Sequence, residues 1–182
     1  MTRSLFVLWL ALALPAGGSY RVDAAGSRVE YTIVHKLHRV EGKSSDIEGR
    51  ALVKGNGTVQ AMVRVPVASF RSGDGNRDEH MLEAVEAGKY PFVVFKGVAN
   101  LGPERALPAG PLEMQGEVEL HGVKRPIVVP LSLALQPDGS IRGRGSFEVS
   151  LDAHGVERPS LLFVKIEDHC HIDFELTLRE ER

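Results

Sequence analysis

The sequence predicts an all-β fold, an antiparallel barrel of about eight strands with one short inserted helix. Three observations predict it. Apolar and polar residues alternate along about eight segments, short turn sequences join several of these segments, and a single stretch has the spacing of a helix. Period-two alternation is typical of strands that have one apolar face and one solvated face.

The composition is that of one globular domain. The chain has 182 residues, of which 43% are hydrophobic, and this is enough for an ordinary core. Its net charge at pH 7 is -2, and no basic stripe is present. Nucleic acid is therefore not an expected partner.

The first eighteen residues are typical of a secretory signal peptide. Arg3 precedes an apolar run over residues 5–14, and small residues follow Pro15. The run is shorter than the roughly twenty residues that a membrane-spanning helix needs. A buried N-terminal strand or helix is the alternative. We expect residues 1–18 to be a signal peptide and residues 19–182 to form the mature, exported domain.

The predicted strands follow from the alternation. It is clearest over residues 59–67, 112–120 and 172–178, where mostly apolar residues occupy every second position. Weaker alternation covers residues 28–35, 47–54, 93–98, 127–135 and 140–150. Together these segments make about eight strands.

Turn sequences join neighbouring segments. Residues 55–57 read Gly-Asn-Gly, residues 121–124 read His-Gly-Val-Lys, and residues 137–139 read Pro-Asp-Gly. Connections this short predict that consecutive strands are antiparallel neighbours.

The predicted helix lies in an insertion between strands. Asn76 and Glu79 have the spacing of a capping box, and Met81, Leu82 and Val85 share one helical face. Gly88 and Pro91 then end the pattern. Residues 70–91 are therefore predicted to be a loop with one short helix.

Small residues on the apolar face favour a barrel over a sandwich. They are Gly49, Ala51, Ala61, Gly116, Gly143 and Gly145. Glycine in a strand marks the tight coiling of a barrel wall, or it leaves room inside for a slender ligand. The sequence leaves both explanations open.

The lone cysteine excludes an internal disulfide. Cys170 alternates in line with Ile172 and Phe174, so it is predicted to be a buried small apolar residue.

Three ordered motifs carry a resemblance to a known family. Residues 77–82 read RDEHML, residues 89–95 read KYPFVVF, and residues 119–126 read ELHGVKRP. Together they resemble the YceI-like polyisoprenoid-binding family over about residues 20–178. The resemblance implies a lipocalin-like eight-stranded barrel in the periplasm, whose lumen holds an isoprenoid quinone, a polyprenyl carrier or a similar long lipid.

The resemblance implies neither catalysis nor a cofactor other than the lipid. It has one departure: family members commonly carry an Asp-x-x-His-Ser stretch before the first strand, whereas residues 23–27 read DAAGS. A later histidine of the family is matched by His35.

The candidate polar site residues have two interpretations. His35 continues the apolar face of Tyr31 and Ile33, where it could meet a lipid head group or a neighbouring strand. Arg77, Asp78 and His80 could form a polar rim for a pyrophosphate or carbonyl head group, or simply stabilise the start of the helix. The predicted lipid-binding residues are Tyr31, Ile33, His35, Phe70, Arg77, Asp78, His80, Met81, Leu82, Phe92, Phe95 and Phe147.

Other chemistries are weaker. His169 and His171 share one strand face, but the spacing provides no third metal ligand. Ser150, Asp152 and His154 are too close in one turn to form a catalytic triad. The expected function is therefore to carry or sequester a long isoprenoid lipid, with transient membrane contact and a homodimer as further partners. The alternative is a filled barrel that acts as a stress-related or protein-interaction module.

Overall fold

The computed structural model describes residues 13–35, 38–158, 160–161 and 164–181. In these residues the strands are β1 Ser19–His35, β2 His38–Ser44, β3 Glu48–Val53, β4 Thr58–Pro66, β5 Phe92–Asn100, β6 Leu112–Leu120, β7 Val123–Leu135, β8 Ile141–Ser150, β9 Ser160–Leu161, β10 Val164–Lys165 and β11 His169–Glu180. The helix α1 spans Gly75–Ala84, and short 3-10 turns cover Val67–Ser69 and Asp152–His154.

The main strands form one closed antiparallel barrel. Hydrogen-bonded neighbours run in the order β11-β8-β7-β6-β5-β4-β3-β1, and β1 pairs back with β11. The other edge of β1 has two partners, because residues 19–21 pair with β3 and residues 29–35 pair with β2. β2 and β3 therefore share one position in the wall. The barrel has eight positions and one short helix, which confirms the predicted fold class.

β1 begins earlier than predicted, at Ser19. Its pairing with β11 shifts register between Asp23 and Arg28, and this irregularity interrupts the alternation. Side chains satisfy the backbone at the break. The Ser27 hydroxyl donates to the Asp23 carbonyl at 2.7 Å, and the Thr177 hydroxyl donates to the Gly26 carbonyl at 2.8 Å.

β2 is a strand that the alternation did not reveal. Its sequence HRVEGKS contains one aliphatic residue, Val40, so no apolar face can be recognised. Pairing with β1 holds it in place, together with two backbone hydrogen bonds of 2.9 Å that Lys43 exchanges with Arg71. Tertiary contacts, rather than local pattern, make this segment a strand.

The predicted turns are confirmed. Gly57 and Gly139 have φ of +84° and +81°, and the adjacent pair His121 and Gly122 has φ of +54° and +71°. Positive φ at both central residues is typical of the tight turns that connect antiparallel strands.

The helix is present, but its cap differs from the prediction. Asp74 is the N-cap, and its carboxylate accepts a hydrogen bond from the Arg77 backbone N–H at 3.1 Å. Asn76, which was predicted to cap the helix, lies inside its first turn. An N-cap residue has an extended backbone immediately before the first helical residue, and Asp74 meets this condition with φ of -134° and ψ of 113°, whereas Asn76 is already helical.

The two ends of the barrel differ in what covers them. The upper end carries residues 67–91 with α1, the turn at residues 121–122 and residues 151–158 and 164–168. The lower end carries the turns at residues 54–57 and 136–140 and the loop over residues 101–111. Two clusters of buried side chains pack inside the barrel, an upper one that includes Val67 and Phe70 and a lower one that includes Tyr20 and Val53.

Residues 13–18 pack on the lower end. Leu14 is 7% exposed within the lower cluster. Its N–H donates to the Arg105 carbonyl at 2.9 Å, and Arg105 Nε donates to the Leu14 carbonyl at 3.1 Å. The predicted signal peptide covers residues 1–18, of which residues 1–12 lie outside the described residues. Within the described part of the chain, no helix is long and apolar enough to span a membrane.

Candidate functional site

The candidate site is an apolar cavity of about 250 Å³ inside the barrel. Strands around the whole wall contribute to it, and Val67, Phe70, Met81 and Val85 of the inserted segment close its upper end. Further lining residues are Val22, Val29, Tyr31, Ile33, Val63, Val65, Phe95, Met114, Val118, Leu131, Leu133, Gly143, Phe147, Val149, Cys170, Ile172, Phe174, Leu176 and Leu178. A lining of this kind suits an apolar ligand.

The polar side chains that line the cavity place no charged group inside the lumen. Burial raises the pKa of the Tyr31 hydroxyl to about 12 and that of the Cys170 thiol also to about 12, so both are protonated at neutral pH. Arg50 also borders the cavity, but its side chain is 71% exposed and lies 3.3 Å from Glu181. The lumen therefore offers neutral donors and an apolar surface.

The glycines of the inner face have different roles. A Cβ on Gly116 would overlap the Lys96 carbonyl oxygen, and a Cβ on Gly145 would lie 2.5 Å from the Pro130 carbonyl oxygen. At Gly143 the first contact is an ordinary one, with Leu133 Cδ2 at 3.4 Å. Gly116 and Gly145 thus permit tight coiling of the wall, whereas Gly143 leaves room in the cavity.

The structure brings half of the predicted lipid-binding residues into the cavity wall. Those that line it are Tyr31, Ile33, Phe70, Met81, Phe95 and Phe147. The Tyr31 and Phe70 rings meet at 5.4 Å between centroids, where the inserted segment covers the barrel. Leu82 packs against the upper cluster without lining the cavity.

The predicted polar rim lies on the surface of α1 and outside the lumen. Arg77 and His80 are exposed, and Arg77 lies 3.7 Å from Asp74. A hydrogen bond from the Ser72 side chain lowers the pKa of Asp78, whose Oδ1 also accepts the Ser72 backbone N–H at 2.9 Å. The Asp78 charge is near enough to contribute to the raised pKa of Tyr31, after burial. The rim therefore lies above the Tyr31 end of the cavity.

Phe92 is a correction to the predicted set. It lies on the outer face of the barrel, where the Arg64 guanidinium lies 4.8 Å from its ring centroid. Side chains alternate along a strand, so residues 92 and 95 cannot face the same side of β5, and it is Phe95 that faces the cavity. His35 ends β1 and pairs with His38, and its side chain lies outside the described part.

The prediction omitted several lining residues. Met114, Leu131, Leu133 and Gly143 line the lower part of the cavity. The alternation placed all of them on apolar faces, but it did not show which strands face one another across the lumen. Cys170 is buried as predicted and also lines the cavity.

Among the described residues, neither the catalytic triad nor the metal site considered in the sequence analysis is assembled. His154 Nδ1 donates to the Ser150 carbonyl at 2.7 Å, and the Ser150 hydroxyl accepts the Ala153 N–H at 2.9 Å, so these residues close a turn. On the outer face of the barrel, Glu148 of β8 lies 4.0 Å from His169 and 3.8 Å from His171 of the neighbouring strand β11. Across the ranges that the structure describes, no group of three such side chains is placed to hold a metal ion.

Comparison with known proteins agrees with this architecture. A model of the YceI-like domain matches residues 20–178. A UPF0312 protein of Vibrio parahaemolyticus is 28% identical over 141 residues, which cover 71% of this chain and 72% of that protein. A UPF0312 protein of Vibrio campbellii is 27% identical over the same length.

Solved structures share the fold. A polyisoprenoid-binding domain from Saccharophagus degradans matches with a TM-score of 0.73 and 17% identity, covering 89% of this chain and 98% of that one. BcnA of Burkholderia cenocepacia matches with a TM-score of 0.69 and 22% identity, covering 86% of this chain and 98% of that one. At these identities the similarity shows the fold alone.

Proposed function

The chain belongs to the YceI-like domain family, and from that premise we propose that it binds a long isoprenoid lipid in the lumen of its barrel. The ligand class we favour is an isoprenoid quinone or a polyprenyl carrier. The similarity to a polyisoprenoid-binding domain supports this choice. Binding and carriage, without catalysis, is the proposed role.

The apolar cavity is the observation that carries the proposal. A barrel that serves only as a structural module would be filled by its own side chains, whereas this one keeps about 250 Å³ open between its two clusters. Gly143 and the branched side chains around it make the open volume narrow and apolar. That shape suits a linear chain of methyl-branched isoprene units better than a compact polar ligand.

Burial of apolar surface supplies the driving force. At about 25 cal/mol per Å², each isoprene unit removed from water contributes on the order of a few kcal/mol, and the ordering of the chain offsets part of this. Affinity should therefore rise with chain length until the lumen is full.

The upper end is where a head group would lie. Tyr31 provides a neutral hydroxyl at the wall, and Asp78 with Arg77 lies above it on α1. A neutral carbonyl can accept from Tyr31, while a charged head group would have to reach the exposed Arg77.

Exchange with a membrane in the periplasm completes the proposal. The apolar run at residues 5–14 supports export, and a carrier of long lipids must receive its ligand from a bilayer. The same proposal includes a homodimer, which a direct measurement of mass in solution tests.

Native mass spectrometry tests the proposed function. Protein purified without detergent should carry an added mass that lipid extraction identifies as an isoprenoid, and emptied protein should take up polyprenols or isoprenoid quinones from vesicles. Protein that is always empty and takes up neither class would refute the proposal. It would favour the filled barrel as a protein-interaction module.

A further inference from the structure

The inserted segment is joined to the barrel by a contact between Glu86 and His121. Glu86 follows α1, and His121 begins the turn between β6 and β7. His121 Nε2 lies 3.5 Å from Glu86 Oε1. The same segment supplies Val67, Phe70, Met81 and Val85 to the cavity wall, so this contact holds the upper cover of the proposed lipid site.

The hydrogen bonds of His121 leave one ring nitrogen without a partner. Its Nδ1 lies 3.2 Å from the His154 carbonyl, and because a carbonyl only accepts, Nδ1 carries the proton. A neutral imidazole has a single N–H, so Nε2 presents a lone pair. In the described structure Nε2 is buried without a hydrogen-bond partner, and the nearest charged group is the Glu86 carboxylate.

Both residues occupy positions where the local fold requires a left-handed backbone, the end of α1 for Glu86 and the turn between β6 and β7 for His121. Glu86 and His121 have φ of +47° and +54°, and Arg105 is the other non-glycine residue with positive φ in the described part of the chain. Such positions ordinarily favour glycine, because a Cβ there costs on the order of 1 kcal/mol. The two strained residues face each other.

The charged groups around His121 do not replace the missing partner. From the inserted segment, Lys89 lies 3.6 Å from the other oxygen of Glu86 and 4.8 Å from the Tyr90 ring centroid, and Tyr90 packs edge-on against His121 at 4.9 Å. From the neighbouring turn and strand, the Arg125 guanidinium donates to the Ala153 carbonyl at 2.7 Å.

The remaining ionisable neighbours are engaged elsewhere. On β7, Lys124 lies 3.6 Å from Glu117 and 3.8 Å from Glu119. In the 3-10 turn, Asp152 is held by Arg158 at 2.8 Å. His154 is 2% exposed, its Nδ1 is bonded to the Ser150 carbonyl, and its Nε2 has no hydrogen-bond partner in the described structure.

We propose that protonation of His121 completes an ion pair with Glu86 and fastens the inserted segment over the cavity, so that ligand exchange slows in acid and quickens at neutral pH. The proton adds an N–H at Nε2, which then donates to the carboxylate 3.5 Å away. The His121 side chain is 14% exposed and the Glu86 side chain is 51% exposed, so solvent screens the pair from the Glu86 side and the expected effect is modest. The ligand-exchange half of this inference rests on the proposed function, but the fastening itself does not.

Hydrogen–deuterium exchange tests the fastening without any ligand. Backbone amides of residues 85–90 are compared in wild type and His121→Gln at about pH 5 and about pH 8, the range in which histidines take up a proton. We expect these amides to exchange about two- to fivefold more slowly in wild type than in the variant at the lower pH, and equally at the higher pH. Glu86→Gln should behave as His121→Gln does, because it removes the carboxylate charge of Glu86 while the fold stays intact.

His169→Gln is the matched control, since His169 is an exposed histidine of the outer face and should exchange as wild type does at both pH values. The inference would be overturned if the exchange rate of wild type divided by that of His121→Gln were the same at both pH values.

Release of decylubiquinone into vesicles then tests the coupling to the cavity. Slower release at low pH in wild type but not in His121→Gln supports it, and release that is equally fast in both refutes the coupling. If neither decylubiquinone nor any isoprenoid quinone or polyprenol binds while the exchange difference persists, the proposed function fails and the fastening stands.

Discussion

The rings of Tyr31 and Phe70 meet at 5.4 Å between centroids and at 57° to each other, which joins the barrel wall to the segment that covers it. Both side chains are 7% exposed, and both line the cavity. This contact makes the cover part of the upper core, so changes in it should alter stability and ligand uptake together.

Phe70→Ala tests that relationship. The substitution removes a buried ring from the upper cluster, and we expect the free energy of unfolding to fall by about 3 kcal/mol. Urea denaturation measures the loss. Phe92→Ala is the matched control, because its ring lies on the outer face beneath Arg64, and it should cost about 1 kcal/mol or less with lipid uptake unchanged. Equal losses in the two variants would contradict the assignment of faces.

Gly143→Leu should fill the cavity without breaking the fold. Its nearest neighbour is Leu133 at 3.4 Å, so a side chain can enter the open space. We expect uptake of polyprenols or quinones to be lost while the free energy of unfolding changes by about 1 kcal/mol or less. Ala134→Leu, on the exposed outer face of β7, is the control and should bind normally. Normal binding by both variants would place the ligand elsewhere.

Gly116→Ala should destabilise the barrel. The added Cβ would overlap the Lys96 backbone, which cannot move without breaking the pairing of β5 and β6, and we expect a loss of about 2–3 kcal/mol in urea unfolding. Gly110→Ala has no neighbour within 4 Å and should change stability by less than about 0.5 kcal/mol. A Gly116→Ala protein as stable as wild type would show that the wall is not tightly coiled there.

Alkaline pH should weaken the fold through Cys170 and Tyr31. Burial raises both pKa values to about 12 in the folded chain, so each group keeps its proton while the unfolded chain releases it. This stability is fully present below about pH 9, where the unfolded thiol stays protonated, and is lost as pH rises toward 12.

The thiol accounts for most of that loss. From pH 8 to pH 10.5 the free energy of unfolding should fall by roughly 2 kcal/mol more in wild type than in Cys170→Val, as measured by urea denaturation at each pH. The same decrease in both proteins would rule out a buried thiol at this position.

Residues 13–18 should stabilise the lower end. A chain that begins at residue 19 lacks the burial of Leu14 and its hydrogen bonds with Arg105. We expect its free energy of unfolding to be about 2 kcal/mol lower than that of a chain beginning at residue 13. Leu14→Ala in the longer chain should show most of the same loss. Identical melting of all three proteins would mean that this segment does not pack in solution.

Local patterns predicted the features that depend on near neighbours in sequence. The three turns carried their own signal, since glycine, asparagine and aspartate suit positive φ, and eight of the strands followed from alternation. β2 was missed because its single aliphatic residue, Val40, leaves no pattern, and the start of β1 was missed because the irregularity after Asp23 interrupts one.

The sequence by itself determined the closed β fold, the inserted helix and an apolar inner face, because alternation and turn chemistry are local properties. Only the tertiary structure decided which small residues leave room. Gly116 and Gly143 share that face, yet a Cβ at Gly116 overlaps backbone, whereas one at Gly143 meets only the side chains of Leu133 and Leu131 at ordinary contact distance. The difference depends on how sharply the wall bends at each point, and that bend is set by strands distant in sequence.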